Sequence, residues 1–259
     1  MKRMGNVKGA KRILCLLFLV GILAAGAGFM PVMASAEEGD HGVHLDQVHT
    51  IYWRATLNKT VKRGKKVLAK SGTKVIVTKR GYGRSKKSTI VYKTGKGKKK
   101  ISVPNSWLSF KSDITSISKE GDYNLETKEA FINRKTRVKK KEKYVVWVSL
   151  DKQRVNIFKA ESKGKNKTWK LSSVYKCSTG NVHTPTKAGW WKVGFKRKTF
   201  SGLLWFTEVV GGGMHKWPGP INKKQYGKRT ASRGCIRLSK KDAHAVYKKI
   251  KVGTRVLVY

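Results

Sequence analysis

The run Ala231-Ser232-Arg233-Gly234-Cys235-Ile236-Arg237-Leu238 gives one cysteine the surroundings of a reactive thiol. Gly234 lets the backbone approach a substrate carbonyl closely. Successive backbone N–H groups in a tight turn can cradle an oxyanion, which makes Ser232 and Gly234 candidate substrate-binding residues. A thiol must lose its proton before it attacks, and Arg233 and Arg237 beside Cys235 favour the thiolate. The candidate base is His215, in Gly211-Gly212-Gly213-Met214-His215-Lys216-Trp217, 20 residues before Cys235. Pro218, Gly219, Pro220 and Gly227 lie between the two and can turn the chain so that the side chains meet. The chemistry such a pair could do is nucleophilic attack on a carbonyl. The residues alone leave open a buried structural Cys235 and a packed loop His215.

The elements that must position them read as mainly β with one short helix after Cys235. Ser239 can cap that helix, with Asp242 three residues on. Ala243, Val246, Tyr247 and Ile250 then fall on one face, and Gly253 ends it. Thr254 to Tyr259 reads as a last strand. Upstream, Tyr144-Val145-Val146-Trp147-Val148-Ser149-Leu150 and Arg154-Val155-Asn156-Ile157-Phe158 read as a hairpin around Asp151-Lys152-Gln153. Further strands are expected at Lys170 to Ser178, Gly189 to Val193 and Leu203 to Val210. Cys177 falls in one of them and reads as core. Gly211 to Gly213 reads as a hinge or a turn.

Ser232-x-Gly234-Cys235-Ile236-Arg237, behind His215, resembles the signature of the YkuD-type L,D-transpeptidase catalytic domain. That signature is a His, roughly 14 to 20 further residues, then Ser-His-Gly-Cys, an apolar residue and Arg or Asn. Cys177-Ser178-Thr179-Gly180 with Thr184-Pro185-Thr186-Lys187-Ala188-Gly189 is similar to an earlier Ser-Thr-Gly…Thr-Pro element of the same family. The resemblance covers 144–259, with two departures. Arg233 stands where the family has His, and Lys216 follows His215 where Gly or Ser is usual. The resemblance implies a Cys235 nucleophile, a His215 base and no cofactor. It implies attack on the peptide bond after the third residue of a tetrapeptide stem of peptidoglycan and loss of the terminal D-alanine. A neighbouring stem amine then resolves the thioester, giving a 3→3 cross-link; water as acceptor gives an L,D-carboxypeptidase. Arg237 would hold the turn or a substrate carboxylate.

The rest of the chain sets the context. Residues 48–112 carry short β-rich runs, clearest at Lys74 to Thr78 and Ser88 to Tyr92, and close on Val103-Pro104-Asn105-Ser106-Trp107-Leu108. This pattern resembles the small SH3-like barrels attached to exported wall enzymes. Residues 113–143, ending in a run of lysines and arginines, read as a solvated basic linker. At the start, Lys2, Arg3, Lys8, Lys11 and Arg12 precede the apolar run Ile13 to Met30 and the small-residue site Ala34-Ser35-Ala36, so 1–36 reads as a secretory signal peptide. An uncleaved run would be long enough to anchor the chain in a membrane.

Lys plus Arg number 59 against 14 Asp plus Glu, a formal net charge of +45. Export makes nucleic acid a poor partner for that charge and leaves an anionic wall polymer or plain solvation. Cys15 leaves with the signal, and Cys177 and Cys235 do not make a disulfide scaffold. Cys177, His183, His215 and Cys235 lack the paired C-x-x-C spacing of a zinc site, so no metal is expected. A papain-like peptidase fits poorly, because there the Cys precedes the His. The competing class is a non-catalytic wall-binding protein with a dead catalytic fold.

Overall fold

The computed structural model describes residues 42–48, 50–51, 53–82, 87–111, 121–139, 141–163, 166–219 and 225–259. All belong to one compact unit, Ala36–Tyr259. The expected signal peptide with Cys15, residues 112–120 and Pro220 lie outside the described residues.

The N-terminal part holds seven strands: β1 (Trp53–Leu57), β2 (Val61–Arg63), β3 (Lys66–Ala69), β4 (Lys74–Lys79), β5 (Lys87–Thr94), β6 (Gly97–Pro104) and β7 (Leu108–Lys111). Five form an antiparallel sheet in the order β6-β5-β4-β1-β7, and β2 pairs with β3. Alternation drives the assembly: Val75 and Val77 on β4, and Ile90 and Tyr92 on β5, turn inward onto Trp53 and Leu57. On the edge strand β6, Lys98, Lys99 and Lys100 are exposed, and their charge discourages another strand from adding there.

Of residues 113–143, expected to be a solvated basic linker, 121–139 and 141–143 are described. Helix α1 (Leu125–Lys135) starts on Asn124, whose side chain accepts from the Thr127 N–H at 2.9 Å. Phe131 and Ile132 are buried, with Phe131 4.3 Å from the Trp147 ring. Asn133 works like a strand neighbour: its Nδ2 donates to Trp169 C=O at 2.9 Å, and its Oδ1 accepts from Trp169 N–H at 2.9 Å. The charge run is also partly tied down. Arg255 forks onto Glu142 with two contacts of 2.6 Å and donates to Arg137 C=O at 3.0 Å.

The C-terminal part is built on β8 (Tyr144–Ser149), β9 (Arg154–Lys163), β10 (Asn166–Ser178), β11 (Gly189–Lys192), β12 (Lys196–Phe200), β13 (Leu203–Val209), β14 (Gly212–Lys216), β15 (Ile236–Leu238), helix α2 (Lys240–Lys249) and β16 (Arg255–Val258). The nine strands run in the order β11-β16-β8-β9-β10-β15-β14-β13-β12. The pairs β14–β15 and β16–β8 are parallel; the other pairs are antiparallel. Strand β8 is buried on both faces, which explains its unbroken apolar sequence. Val146 and Val148 face a core that includes Ile157, Cys177, Leu238 and Val246 of α2; Val145 and Trp147 face Phe131 of α1. Ser239 caps α2 by accepting from the Asp242 N–H at 3.1 Å.

Candidate active site

The parallel pair β14–β15 brings the two singled-out segments together. Its register sets Met214 beside Ile236 and His215 beside Arg237. Carried back one position, it sets Gly213 beside Cys235, so Cys235 and His215 sit diagonally on neighbouring strands. A Cβ on Gly212 would lie 3.4 Å from Cys235 Sγ, so the sulfur packs on the start of the strand that carries His215. A Cβ on Gly213 would lie 2.6 Å from the Phe206 ring. Of the run read as a hinge or turn, Gly211 lies in the turn with Val210, at φ +68°, and Gly212 and Gly213 open the strand, where they permit two close approaches.

The turn before Cys235 is held from within and from a second loop. Gly234 has φ +114°, a conformation that side chains with a Cβ rarely adopt. The fully buried Ser232 hydroxyl accepts from Gly234 N–H at 3.1 Å and donates to Cys235 C=O at 2.5 Å. Thr186 Oγ1 donates to Gly234 C=O at 2.8 Å and accepts from Gly180 N–H at 2.9 Å. Gly180 bridges to Ser232, and Thr179 C=O accepts from the N–H groups of Ala231 and Ser232, each at 3.0 Å. A Cβ on Gly180 would run into the backbone of Thr184 to Thr186, so only glycine fits. Below this, Gln153 donates to Leu150 C=O at 2.7 Å and accepts from Thr179 N–H at 2.8 Å.

His215 is completely buried, and neither ring nitrogen has a hydrogen-bond partner among the described residues. Burial lowers its pKa below the ordinary imidazole value; the Lys216 backbone, which lies against the ring, opposes this, and the positive field of Arg237 adds to it. The ring sits between Phe206 at 5.9 Å and Trp217 at 6.4 Å. Arg237 stacks on Trp217 at 4.1 Å and donates to Ala231 C=O at 3.3 Å, so its guanidinium braces the turn. The two described cysteines are free thiols in opposite settings. Cys177 is fully buried, and burial pushes its pKa up to about 12; Cys235 is half-buried.

Cys235 opens into a cleft of about 410 Å³. Arg233, Gly234, Gly212, Thr184 and Lys187 line it from the C-terminal part, and Arg80, Tyr82 and Asn105 from the N-terminal part. The residues singled out from sequence therefore divide. Cys235, Gly234 and Arg233 face the cleft; Ser232, Arg237 and His215 stand behind it. Among the described residues no three His, Cys, Asp or Glu side chains cluster in a way that could hold a metal ion. Sequence reasoning did not find Gln153, Gly180, Arg80 or Tyr82 as site residues. The Thr-Gly…Thr-Pro element carried a signal for Gly180; nothing local marked the other three.

Residues 143–258 match the family YkuD, the L,D-transpeptidase catalytic domain. No curated protein matches the chain. A fused Zn-dependent amidase/peptidase/peptidoglycan-binding domain-containing protein from Clostridium acetobutylicum is similar at 25% identity, covering 55% of this chain and 66% of that one, with a TM-score of 0.41. An L,D-transpeptidase from Stackebrandtia nassauensis is similar at 21% identity, over 52% of this chain and 64% of that one, TM-score 0.36. One from Mycobacterium smegmatis is similar at 17% identity, over 45% and 58%, TM-score 0.37. The chain thus spans less than two thirds of the length of each of these structures. The family match spans 143–258, less than half of the chain, and takes in both His215 and Cys235.

Proposed function

We propose that the chain is a cysteine acyltransferase of the cell wall that forms 3→3 cross-links between peptidoglycan stem peptides. The observation that carries this is the half-buried Cys235 at the mouth of a cleft, its sulfur on the strand that presents His215. In the reaction, His215 takes the thiol proton of Cys235 and the thiolate attacks the carbonyl carbon of the third stem residue. The Cys235 N–H is the donor assigned to the oxyanion, since Ser232 holds the Gly234 N–H. The C–N bond breaks, the imidazolium returns its proton to the leaving D-alanine, and a thioester remains. An amine from a second stem then attacks the thioester. It gives its proton to His215 as the C–S bond breaks, and the proton passes back to the thiolate.

The same reading extends to the rest of the chain. Residues 48–112 act as an SH3-like wall-binding module, 1–36 export the protein, and the cationic excess holds it on anionic wall polymers. The test is product analysis with a tetrapeptide-stem donor. Cross-linked dimer joined between third residues, with equimolar D-alanine, is the expected product. Tripeptide and D-alanine without dimer would replace the cross-linking reading by carboxypeptidase action. No turnover by wild type, with wall binding equal to that of Cys235→Ala, would make the chain a non-catalytic binder.

A further inference from the structure

Part of the wall of the cleft that holds Cys235 comes from the N-terminal part of the chain, and hydrogen bonds fix it in place. Gly81, just beyond β4, is held on both sides: its N–H donates to Ser88 Oγ at 3.1 Å, and its C=O accepts from Asn105 Nδ2 at 3.3 Å. Ser88, itself buried, donates to Asn105 Oδ1 at 2.5 Å, which locks the pair. This fixes Arg80 and Tyr82 on either side. The Arg80 guanidinium lies 3.3 Å over the Phe110 ring, and its Nη1 is buried with no hydrogen-bond partner among the described residues. Burial lowers its pKa to about 10, which still leaves it charged at neutral pH.

The two parts of the chain are joined around this wall. Tyr82 lies against the backbone of Ala188, and Val182 is buried in the core of the N-terminal sheet with Trp53 and Leu57. Val182 and Ala188 flank Thr184 and Thr186, which hold the Cys235 turn. The cleft itself is one-sided in charge: Arg80, Lys187 and Arg233 line it, and among the described residues no Asp or Glu does. Arg80 lines the cleft with no acidic neighbour there among the described residues, so an anionic ligand would meet a charge that the protein leaves uncompensated. The planar fork of its guanidinium suits a carboxylate.

We propose that Arg80, supplied by the N-terminal sheet, binds a carboxylate of the peptide that reacts at Cys235, so that the substrate site is completed only when both parts of the chain are present. The identity of the ligand as a stem peptide rests on the acyl-transfer reading above; the anion subsite rests on the cleft. Arg80 is here a binding residue for the ground state, and its loss acts on affinity.

The test is binding to the full-length Cys235→Ala chain, which cannot turn over, of a tetrapeptide stem as the free acid and as its C-terminal amide. With Arg80 present the acid binds more tightly than the amide. Arg80→Gln weakens binding of the acid about tenfold, the loss of one charge-assisted hydrogen bond, and leaves the amide unchanged. Inorganic phosphate competing as well as the acid would show an unspecific anion site and overturn the peptide assignment. Equal losses for acid and amide, or no loss, would overturn the subsite. If Arg80→Gln fails to fold, judged by its unfolding midpoint, Arg80→Lys keeps the charge over Phe110 without the fork. It is expected to retain folding and lose part of the preference for the acid; undiminished preference would overturn the role of the fork. Failure of the wild-type chain to form a thioester with the same peptide, binding being intact, would count against the acyl-transfer reading and leave the subsite standing.

Discussion

At the scale of single residues, the pair Cys235 and His215 differs in how each meets solvent. The sulfur reaches a cleft, while the imidazole is sealed behind it among Phe206, Trp217 and Arg237. An imidazole whose pKa is lowered by burial stays neutral, and so able to take a proton, in more acidic solution than a free one. The acid limb of kcat/KM is therefore expected below the ordinary imidazole value of about 6.5. The same shift has a sign for stability. The unfolded His215 binds a proton more readily than the folded one, so its contribution to stability is present above about pH 6.5 and is lost as pH falls from there through the lower folded pKa. Urea midpoints of wild type and His215→Gln, compared at about pH 7.5 and about pH 5, check this. The wild type should lose more stability on acidification; parallel declines would show that burial of the ring is not felt. The motif at Cys235 was legible because Gly234 and Ser232 serve the backbone of their own turn. Arg237 was only half legible: it stands two positions after Cys235, but its guanidinium contacts Trp217 and Ala231.

At the scale of elements, strands with strong alternation or unbroken apolar runs were readable, β4, β5, β8 and β9 among them. So was α2, whose cap and apolar face lie within twelve residues of each other. Helix α1 was not, because its apolar burial rests on Phe131 and Ile132, and the rest is polar: Thr127 and Lys128 are buried too, and Asn133 and Glu129 bond to β10. Periodicity in one segment cannot register bonds that end on another. Phe131→Ala should cost about 3–5 kcal/mol, as for a large side chain deleted from a packed core, and equilibrium unfolding measures it. A loss under about 1 kcal/mol would return this stretch to the status of a linker. The loop Thr179 to Thr186 has the opposite history: its sequence was flagged by resemblance, and its physical reason is visible only in the bonds to Gly234 and Ser232. Thr186→Val keeps the shape and removes the hydroxyl that serves Gly180 and Gly234. The cost should be about 1–3 kcal/mol, because the buried Gly180 N–H and the half-buried Gly234 C=O lose a partner. Acylation at Cys235 should slow as well, since the turn loses its outer brace; unchanged acylation would show that Ser232 suffices.

At the scale of the whole molecule, the chain couples two β-built parts through one seam. Val182 enters the N-terminal core, Ile51 packs against both cores, and the cleft at Cys235 has walls from both. The seam was invisible in the sequence because its partners are separated by some hundred residues and none is of a distinctive type. The strong positive charge was visible, and its placement around the cleft at Arg80, Lys187 and Arg233 gives part of it a local use. The measurement that bears most directly on the whole account is the mass of the chain after incubation with a tetrapeptide stem, followed by mapping of the modified peptide. Wild type should gain the mass of the tripeptide acyl group on the fragment containing Cys235, with release of D-alanine, and Cys235→Ala should gain nothing and release nothing. An adduct on another residue, D-alanine release surviving in Cys235→Ala, or neither adduct nor release from wild type would contradict it.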